Sequence, residues 1–534
     1  MIHRHHLTRA AHIIDNSGIV DTLISGYRTS RRGRPANRNG LRLMLLGLLL
    51  SIHRDGKATL AAAHELLTTQ LSLDDQLDQG IVKLVDDTPE EIVTIYDFYN
   101  LERIICERLA YSTQSEPDID DSERKRRHST IETYCNDLMD MFNIVNANSG
   151  TVAIDATGIW SWGRGFSTNN STPDTPQPER RRDVDASWGI KTAKNGDSER
   201  YFGFAEHTLV QAPDVQRLDD GTDQFPKLIT RFALTAASDD IVDVTLKLID
   251  QHPTPVRDIL VDRHYSYKAV DRWKKPLIER GINQHLDLRA DEQGFEESDR
   301  FRWAAGQAHC PATPDHLGTI IKPAPDSTHN DWVVFHKRIE QRSAFAMAPH
   351  SRPDNTGTHR CVCPAAAGKI GCPLRPETMI AAHNLGLDYV ETPPTTNEGE
   401  PLPAPCTQQT VKVTPPSRQL KLSQPHTWGS PTWRAVTNNR TYVEGSYGNR
   451  KNPSTENLRR GLNQVFGLVW THIVMGLVNA SYNLRMIDNW CERHPDHNIE
   501  HPLTTAAQQD TIGHLHLTAE EFATIIANRN QQAA

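Results

Sequence analysis

The spacing of apolar residues changes character near residue 150. From Leu7 to about Asn148 they recur at helical intervals, with Leu41 to Ile52 the most apolar turn set and Ala61 to Leu73 a second helix rich in Ala and Leu. Asn37 and Asn39-Gly40 provide a turn into the first of these. Beyond Asn148 the runs become short and β-branched. Thr151-Val-Ala-Ile-Asp155-Ala-Thr157, bounded by Ser149-Gly150 and Gly158, predicts a buried strand that delivers a carboxylate at its end. Ser187 to Thr192, Tyr201 to Val210 and Leu228 to Leu234 predict further strands, the first two joined through the turn Lys194-Asn-Gly-Asp197. Asp239 to Asp250 predicts a helix capped by Ser238-Asp-Asp and ended by Pro253. Asp258-Ile-Leu-Val-Asp262 is a second apolar run that closes on an Asp, and a helix-like segment follows from Ser266 to Arg280.

The C-terminal third predicts one more helix pair. From Tyr442 a helix carries Glu444, Tyr447 and Lys451 near one face until Pro453 interrupts it, and Asn457 to Asp488 forms a buried helical end. Val465 to Leu484 is apolar enough to suggest a membrane span. Thr471, His472, Asn479 and Ser481 inside it favour a buried helix, so no membrane partner is expected. The polar tail after Cys491 reads as loosely held helix.

Composition narrows the class. A chain of 534 residues with 37% hydrophobic residues has ample core for several domains. A net charge of -9 argues against a surface that binds nucleic acid everywhere, so any DNA contact must be local. One basic window holds Arg28, Arg31, Arg32, Arg34, Arg38 and Arg42 with no acidic residue, and Arg32-Gly-Arg34-Pro35 resembles the core of an AT-hook, whose Arg side chains enter the narrow minor groove. A solvated basic loop before a helix is the plainer alternative. Arg124 to His128 forms a second basic knot after an acidic stretch and reads as a surface linker or, equally, as an exposed helix start carrying charges of both signs. Met1-Ile-His-Arg-His-His is basic, but Asp15, Asn16 and Asp21 interrupt anything like a signal sequence, and the eight cysteines suit a reducing compartment; a cytoplasmic protein is expected.

The chemistry lies in the carboxylates. A charge at the end of an apolar strand is costly unless a cation, a hydrogen-bond network or water compensates it. Asp155 and Asp262 share that position, whereas Asp258 stands before its apolar run, which makes Asp262 the preferred second member. Glu444 stands in Arg440-Thr-Tyr-Val-Glu444-Gly-Ser-Tyr-Gly-Asn-Arg450-Lys451. Three such carboxylates suit two Mg²⁺ ions, hard cations that take oxygen ligands and leave positions open for phosphate. Trp160-Ser-Trp162 follows the first strand; these rings could stack on an unpaired base at a cleaved DNA end or simply pack. Ser167 to Pro178 then reads as a polar loop closed by Arg180, Arg181 and Arg182, whose charge would suit phosphate.

Asp155, Asp262 and Glu444 together resemble the DDE triad of RNase H-like transposases, in particular the IS4-like superfamily of bacterial insertion sequences, including its IS1182-type members. Arg440, Glu444 and Lys451 reproduce the R-x3-E-x6-K part of that family's Y-x2-R-x3-E-x6-K signature, with Thr437 at the Tyr position. The resemblance covers roughly 151–487 and implies an α/β fold with an RNase H-like catalytic core. It implies a helical N-terminal domain that binds the element's ends (1–148), a first core segment (149–290), an insertion between the second Asp and the Glu (291–425), a second core segment (426–490) and a tail (491–534). In the family fold, the strands ending in Asp155 and Asp262 are neighbours.

The implied activity is cleavage at the ends of the element and strand transfer into target DNA. Two Mg²⁺ or Mn²⁺ ions would be shared by Asp155, Asp262 and Glu444, and Arg440, Lys451 and Arg450 would contact DNA. The implied partners are double-stranded DNA, as terminal inverted repeats and as target, and a second copy of the chain in a nucleoid-associated complex. Cys310, Cys363, Cys372 and Cys406 in the insertion could fix a Zn²⁺, although clean C-x2-C knuckles are missing. Thr392 to Pro405 reads as a linker within the insertion. A nuclease without strand transfer and a domesticated, non-catalytic DNA-binding protein are the alternatives.

Overall fold

The computed structural model describes residues 4–28, 35–144, 150–165, 183–192, 198–215, 225–298, 300–324, 326–394 and 401–504. The predicted turn at Lys194 and the Arg180 to Arg182 cluster fall outside them, as do Arg31, Arg32 and Arg34.

The N-terminal region is helical. Helix α1 (Arg4–Asn16) and helix α2 (Arg38–Asp55) pack together, and Leu41 to Ile52 is buried around nearly the whole circumference of α2 because other helices surround it. Asn37 caps α2 by accepting from the Gly40 N–H at 2.9 Å, and Gly56 ends it in the left-handed region. The basic knot at Arg124 lies at the start of helix α3 (Asp121–Asp140), the helix-start alternative rather than the linker. Its guanidinium groups close the ends of other segments: Arg124 donates to the carbonyls of Tyr111 and Glu116, Arg126 to Gly26 and Arg127 to Ala110. Orphan carbonyls, which need donors wherever helices and turns end, are satisfied by this charge.

The central sheet contains β1 (Thr151–Trp160), β2 (Ser187–Thr192), β3 (Ser198–Gln211), β4 (Ile229–Ala236), β5 (Asp258–Leu260) and β6 (Asn283–His285). Strand β3 runs antiparallel to β1, from Val152 opposite Gln211 to Trp160 opposite Gly203. The other edge of β3 pairs with β2 along its first half and with β4 along its second. Strands β5 and β6 continue the sheet beyond β1, both parallel to it. Gly203 allows the close approach of β1, since a Cβ there would stand 2.0 Å from the Ile159 carbonyl oxygen.

Alternation along β1 supplies two cores. Val152 and Ile154 pack with Ile259, Val261 and helix α4 (Ile241–Asp250), the crossover between β4 and β5. Ala153 and Ile159 face the opposite way, into a core continuous with α1, α2 and α3. A sheet covered on both faces explains the unbroken burial of Thr151 to Ile154 in β1 and of Tyr201 to Gln211 in β3, whereas Trp188 and Ile190 of β2 stay exposed.

After β6 the chain forms two small three-stranded antiparallel sheets and the helix His329–Ala344 before it returns through Pro431–Asn438. Helix α5 (Thr441–Lys451) follows, then an irregular stretch, and helix α6 (Leu468–Arg493) begins later than the expected Asn457. The polar residues of α6 are what hold it in the protein. His472 accepts from the Leu234 N–H at 3.1 Å, and Asn483 bonds both backbone groups of Ile229, so α6 closes the edge of β4. No helix among the described residues is long and apolar enough to cross a membrane.

Candidate active site

Asp155 is not at the end of its strand. Strand β1 runs on to Trp160, and what ends beside Asp155 is the pairing with β5. The parallel register sets Ala153 opposite Leu260; carried forward two residues, it sets Asp155 beside Asp262, where β5 has turned away. Asp262 starts the turn Arg263–Tyr267 and accepts from the Arg263 N–H at 2.7 Å. Asp258 lies opposite Thr151, about 13 Å further back along the strand. It is buried and bonded by His285 Nε2 at 2.9 Å and Asn283 Nδ2 at 3.1 Å, a structural role that leaves Asp262 as the member beside Asp155.

Glu444 reaches the same place from α5. The Tyr447 hydroxyl, one turn along, donates to the Asp155 backbone carbonyl at 2.6 Å, and Lys451 Nζ donates to Thr157 Oγ1. These two bonds lay α5 across β1, with Arg440 at its start and its Nη2 2.6 Å from Glu444 Oε1.

Electrostatics tie the group together. Burial pushes the Asp155 carboxyl up to about 6, and the negative charges of Asp262 and Glu444 push it the same way; the Ala156 N–H and Arg440 oppose them. A carboxyl that feels both other acids and whose side chain is largely shielded from water is a site short of positive charge. Among the described residues, the oxygens of the three acids are not all within 4.8 Å of one another. A two-ion site does not require that, because the outer carboxylates serve different ions on either side of the shared one. The donor set, oxygen only, fits Mg²⁺ or Mn²⁺.

Beside the acids a cleft of about 800 Å³ opens between the sheet and the returning chain, lined by Arg263, Lys322, Arg434 and Arg440 together with Trp332 and Asp287. Four cationic side chains against one acid suit a polyanion. Sequence reading missed this wall because its members come from four separate segments.

The remaining expected residues are scattered. Arg450 is corrected: it is wholly buried, with its guanidinium 2.8 Å from Glu206 Oε1 and bonded to Asn479, so it cannot touch DNA without unfolding α5. Trp160 meets Tyr201 edge to face, and Trp162 is half-exposed beside Gly461, away from the acids along β1. In the basic window, Arg38 pairs with Asp21, and Arg42 pairs with Asp15 at 2.7 Å, so these two serve the helical core. Arg32 and Arg34 lie outside the described residues.

Cys310, Cys363 and Cys372 are buried in one small apolar cluster with Leu317, Phe345 and Val390, and the thiols of Cys363 and Cys372 bear electrostatically on Cys406. No three of these four sulfurs lie within 4.8 Å of one another, wider than a tetrahedral Zn²⁺ requires. Cys363, Cys372 and Cys406 all bear electrostatically on Cys310, so the four expected ligands share one neighbourhood.

Comparisons of the chain with models of known families, with curated proteins and with solved structures return no match.

Proposed function

We propose that this chain is a DDE transposase with an RNase H-like core, cutting DNA at the ends of a mobile element and joining them to target DNA. The observation that carries the reading is the convergence of Asp155, Asp262 and Glu444, with the carboxyl of Asp155 raised by burial and by both of the others. The strand order β4-β3-β1-β5-β6 supports it, with β3 antiparallel to both β1 and β4, and β5 and β6 parallel to β1. The return of the third acid on a helix after a long insertion supports it too.

Asp155, Asp262 and Glu444 would together hold a pair of Mg²⁺ or Mn²⁺ ions. Such ions would supply activation of the attacking oxygen and charge neutralisation at the leaving one. The chain's own residues do the rest. Tyr447 and Lys451 hold α5 against β1 and so set Glu444 relative to Asp155. Arg440 adds fixed positive charge at the mouth of the site, and Arg263, Lys322 and Arg434 line a path for the phosphate backbone. Double-stranded DNA, as element ends and as target, is the partner, and a second copy of the chain would hold the other end.

The test is incubation of the protein with linear DNA carrying the inverted repeats that flank its gene, with Mg²⁺ or Mn²⁺, and strand-resolved mapping of cuts and joints. Cuts at the repeat boundary and joints to target DNA are expected, both lost in Asp155→Asn. Cuts without joints would make it a nuclease, and failure to cut any DNA with either ion would overturn the enzymatic reading.

A further inference from the structure

A second set of metal-ligating side chains lies far from the three acids, where α1, the end of α2 and α6 meet. His6, His53 and Asp488 each offer one ligand atom, and these atoms all lie within 4.8 Å of one another; no other such group of three occurs among the described residues. The three residues come from three helices at opposite ends of the sequence, so chain proximity does not explain their meeting. We propose that they bind one borderline divalent transition cation, Zn²⁺ or its surrogates Co²⁺ and Ni²⁺, which fastens the first helix to the last.

The surroundings of His53 prepare it as a ligand. Ser481 Oγ donates its single proton to Glu456 Oε1 at 3.0 Å, so toward His53 Nδ1, 3.1 Å away, it can only accept. Nδ1 therefore carries the hydrogen and the lone pair is on Nε2. A carboxylate acting through a second group to orient a histidine is the usual outer support of a metal ligand. Arg485, donating to Glu456 and to the His53 carbonyl, steadies the same relay. Burial, with Arg485, His6 and Arg9 nearby, holds the imidazole well below the usual histidine range.

Two imidazoles and one carboxylate select a transition cation over Mg²⁺, which prefers oxygen donors and keeps its water. Asp488 is shared with Arg9, whose guanidinium holds Oδ1. A carboxylate has two oxygens and several lone pairs, so one can face Arg9 while the other faces an ion. The charges about the site, Arg9 and Arg485 against Asp488 and Glu456, balance before an ion enters, which limits affinity and leaves the imidazoles to supply the bond.

The probe is Co²⁺, added to the untagged full chain after chelator treatment, read by visible absorption and by equilibrium dialysis, with melting followed in parallel. One Co²⁺ is expected, with weak visible bands and no thiolate-to-cobalt charge transfer. Binding should weaken roughly a hundredfold in His6→Ala. The ion should raise Tm in the parent and not in the variant. Asp155→Asn, which alters the other candidate site, should bind this Co²⁺ unchanged. His6→Ala sits in a first helical turn, and its melting without metal should match the parent. Equal Co²⁺ binding by His6→Ala, a spectrum dominated by thiolate charge transfer that Cys372→Ser abolishes, or no binding at all would each overturn the site. None of these results bears on DNA cleavage.

Discussion

Two carboxylates on paired strands meet opposite fates. Glu206 on β3 stands across from Thr157 on β1, two positions from Asp155; Glu206 is fully buried and Asp155 partly so. Glu206 has a guanidinium and an amide within bonding distance, Arg450 from α5 and Asn479 from α6. Asp155 has one backbone N–H, two further acids and only the more distant charge of Arg440, itself paired with Glu444. A buried charge matched by its own fold is structural, whereas one that its fold leaves short of positive charge is waiting for something else. The same helix makes both arrangements: α5 brings Arg450 to Glu206 and, two turns earlier, Glu444 toward Asp155.

The sharpest way to break this contrast is to remove one charged partner of each buried acid. Glu444→Gln is expected to cut the rate of strand cleavage by at least roughly a hundredfold, the scale of single electrostatic contributors to catalysis. Because Glu444 is half-exposed, its unfolding free energy should stay within about 0.5 kcal/mol of the parent, and a rate equal to the parent's would remove Glu444 from the site. Arg450→Ala should instead cost about 3–5 kcal/mol of stability, measured by denaturant unfolding, since it strands Glu206 without a counter-charge. A loss below 1 kcal/mol would mean that water enters and the pair is not sealed.

Asp155→Asn should do the reverse and stabilise the protein when divalent ions are absent. A carboxyl raised from 3.8 to about 6 disfavours the folded state by up to about 3 kcal/mol once ionised. The sign follows from proton binding: the folded state holds this proton more tightly than the unfolded one. The penalty is therefore absent below pH 3.8, grows as the pH rises, and is complete above about 6. Melting of the parent against the variant, at pH 5 and pH 8 with chelator, checks it; a difference that is the same at both would sink the raised pKa. Adding Mg²⁺ at pH 8 should stabilise the parent more than the variant.

Smallest is Tyr447→Phe, which removes the bond to the Asp155 carbonyl and should cost about 1 kcal/mol. If that bond positions Glu444, cleavage should fall by more than this stability loss accounts for; an unchanged rate would mean that Lys451 and the Arg450 clamp suffice to hold α5.

Much of the sheet was legible in the chain. The strand near Ser187, the longer one through Tyr201 to Val210, the helix to Asp250 and the two apolar runs beside Asp155 and Asp262 all occur, with ends displaced by a few residues. Periodicity marks an element well and its ends poorly, because neighbouring strands decide where pairing stops: β1 continues past Asp155 only because β3 stays alongside it to Gly203. Charge was the least legible feature. Arg450 and Lys451 are adjacent and equally basic in sequence, yet one is sealed against Glu206 and the other bonds Thr157. Arg124 to Arg127 looked like a surface run and instead ties off carbonyls. The four Cys singled out as candidate ligands come from separate stretches and share one neighbourhood, whereas His6, His53 and Asp488 gave no signal at all, being separated by up to 482 residues.

The linear chain determined where strands and helices form and which acids terminate apolar runs, because these depend on side-chain period and on the cost of placing charge beside hydrocarbon. Only the tertiary structure decided which of those charges are answered. Partnership between Asp155 and Asp262, or between Glu206 and Arg450, depends on distances set by strand register and helix docking, and Coulomb energy in a shielded interior varies with those distances and not with position along the chain.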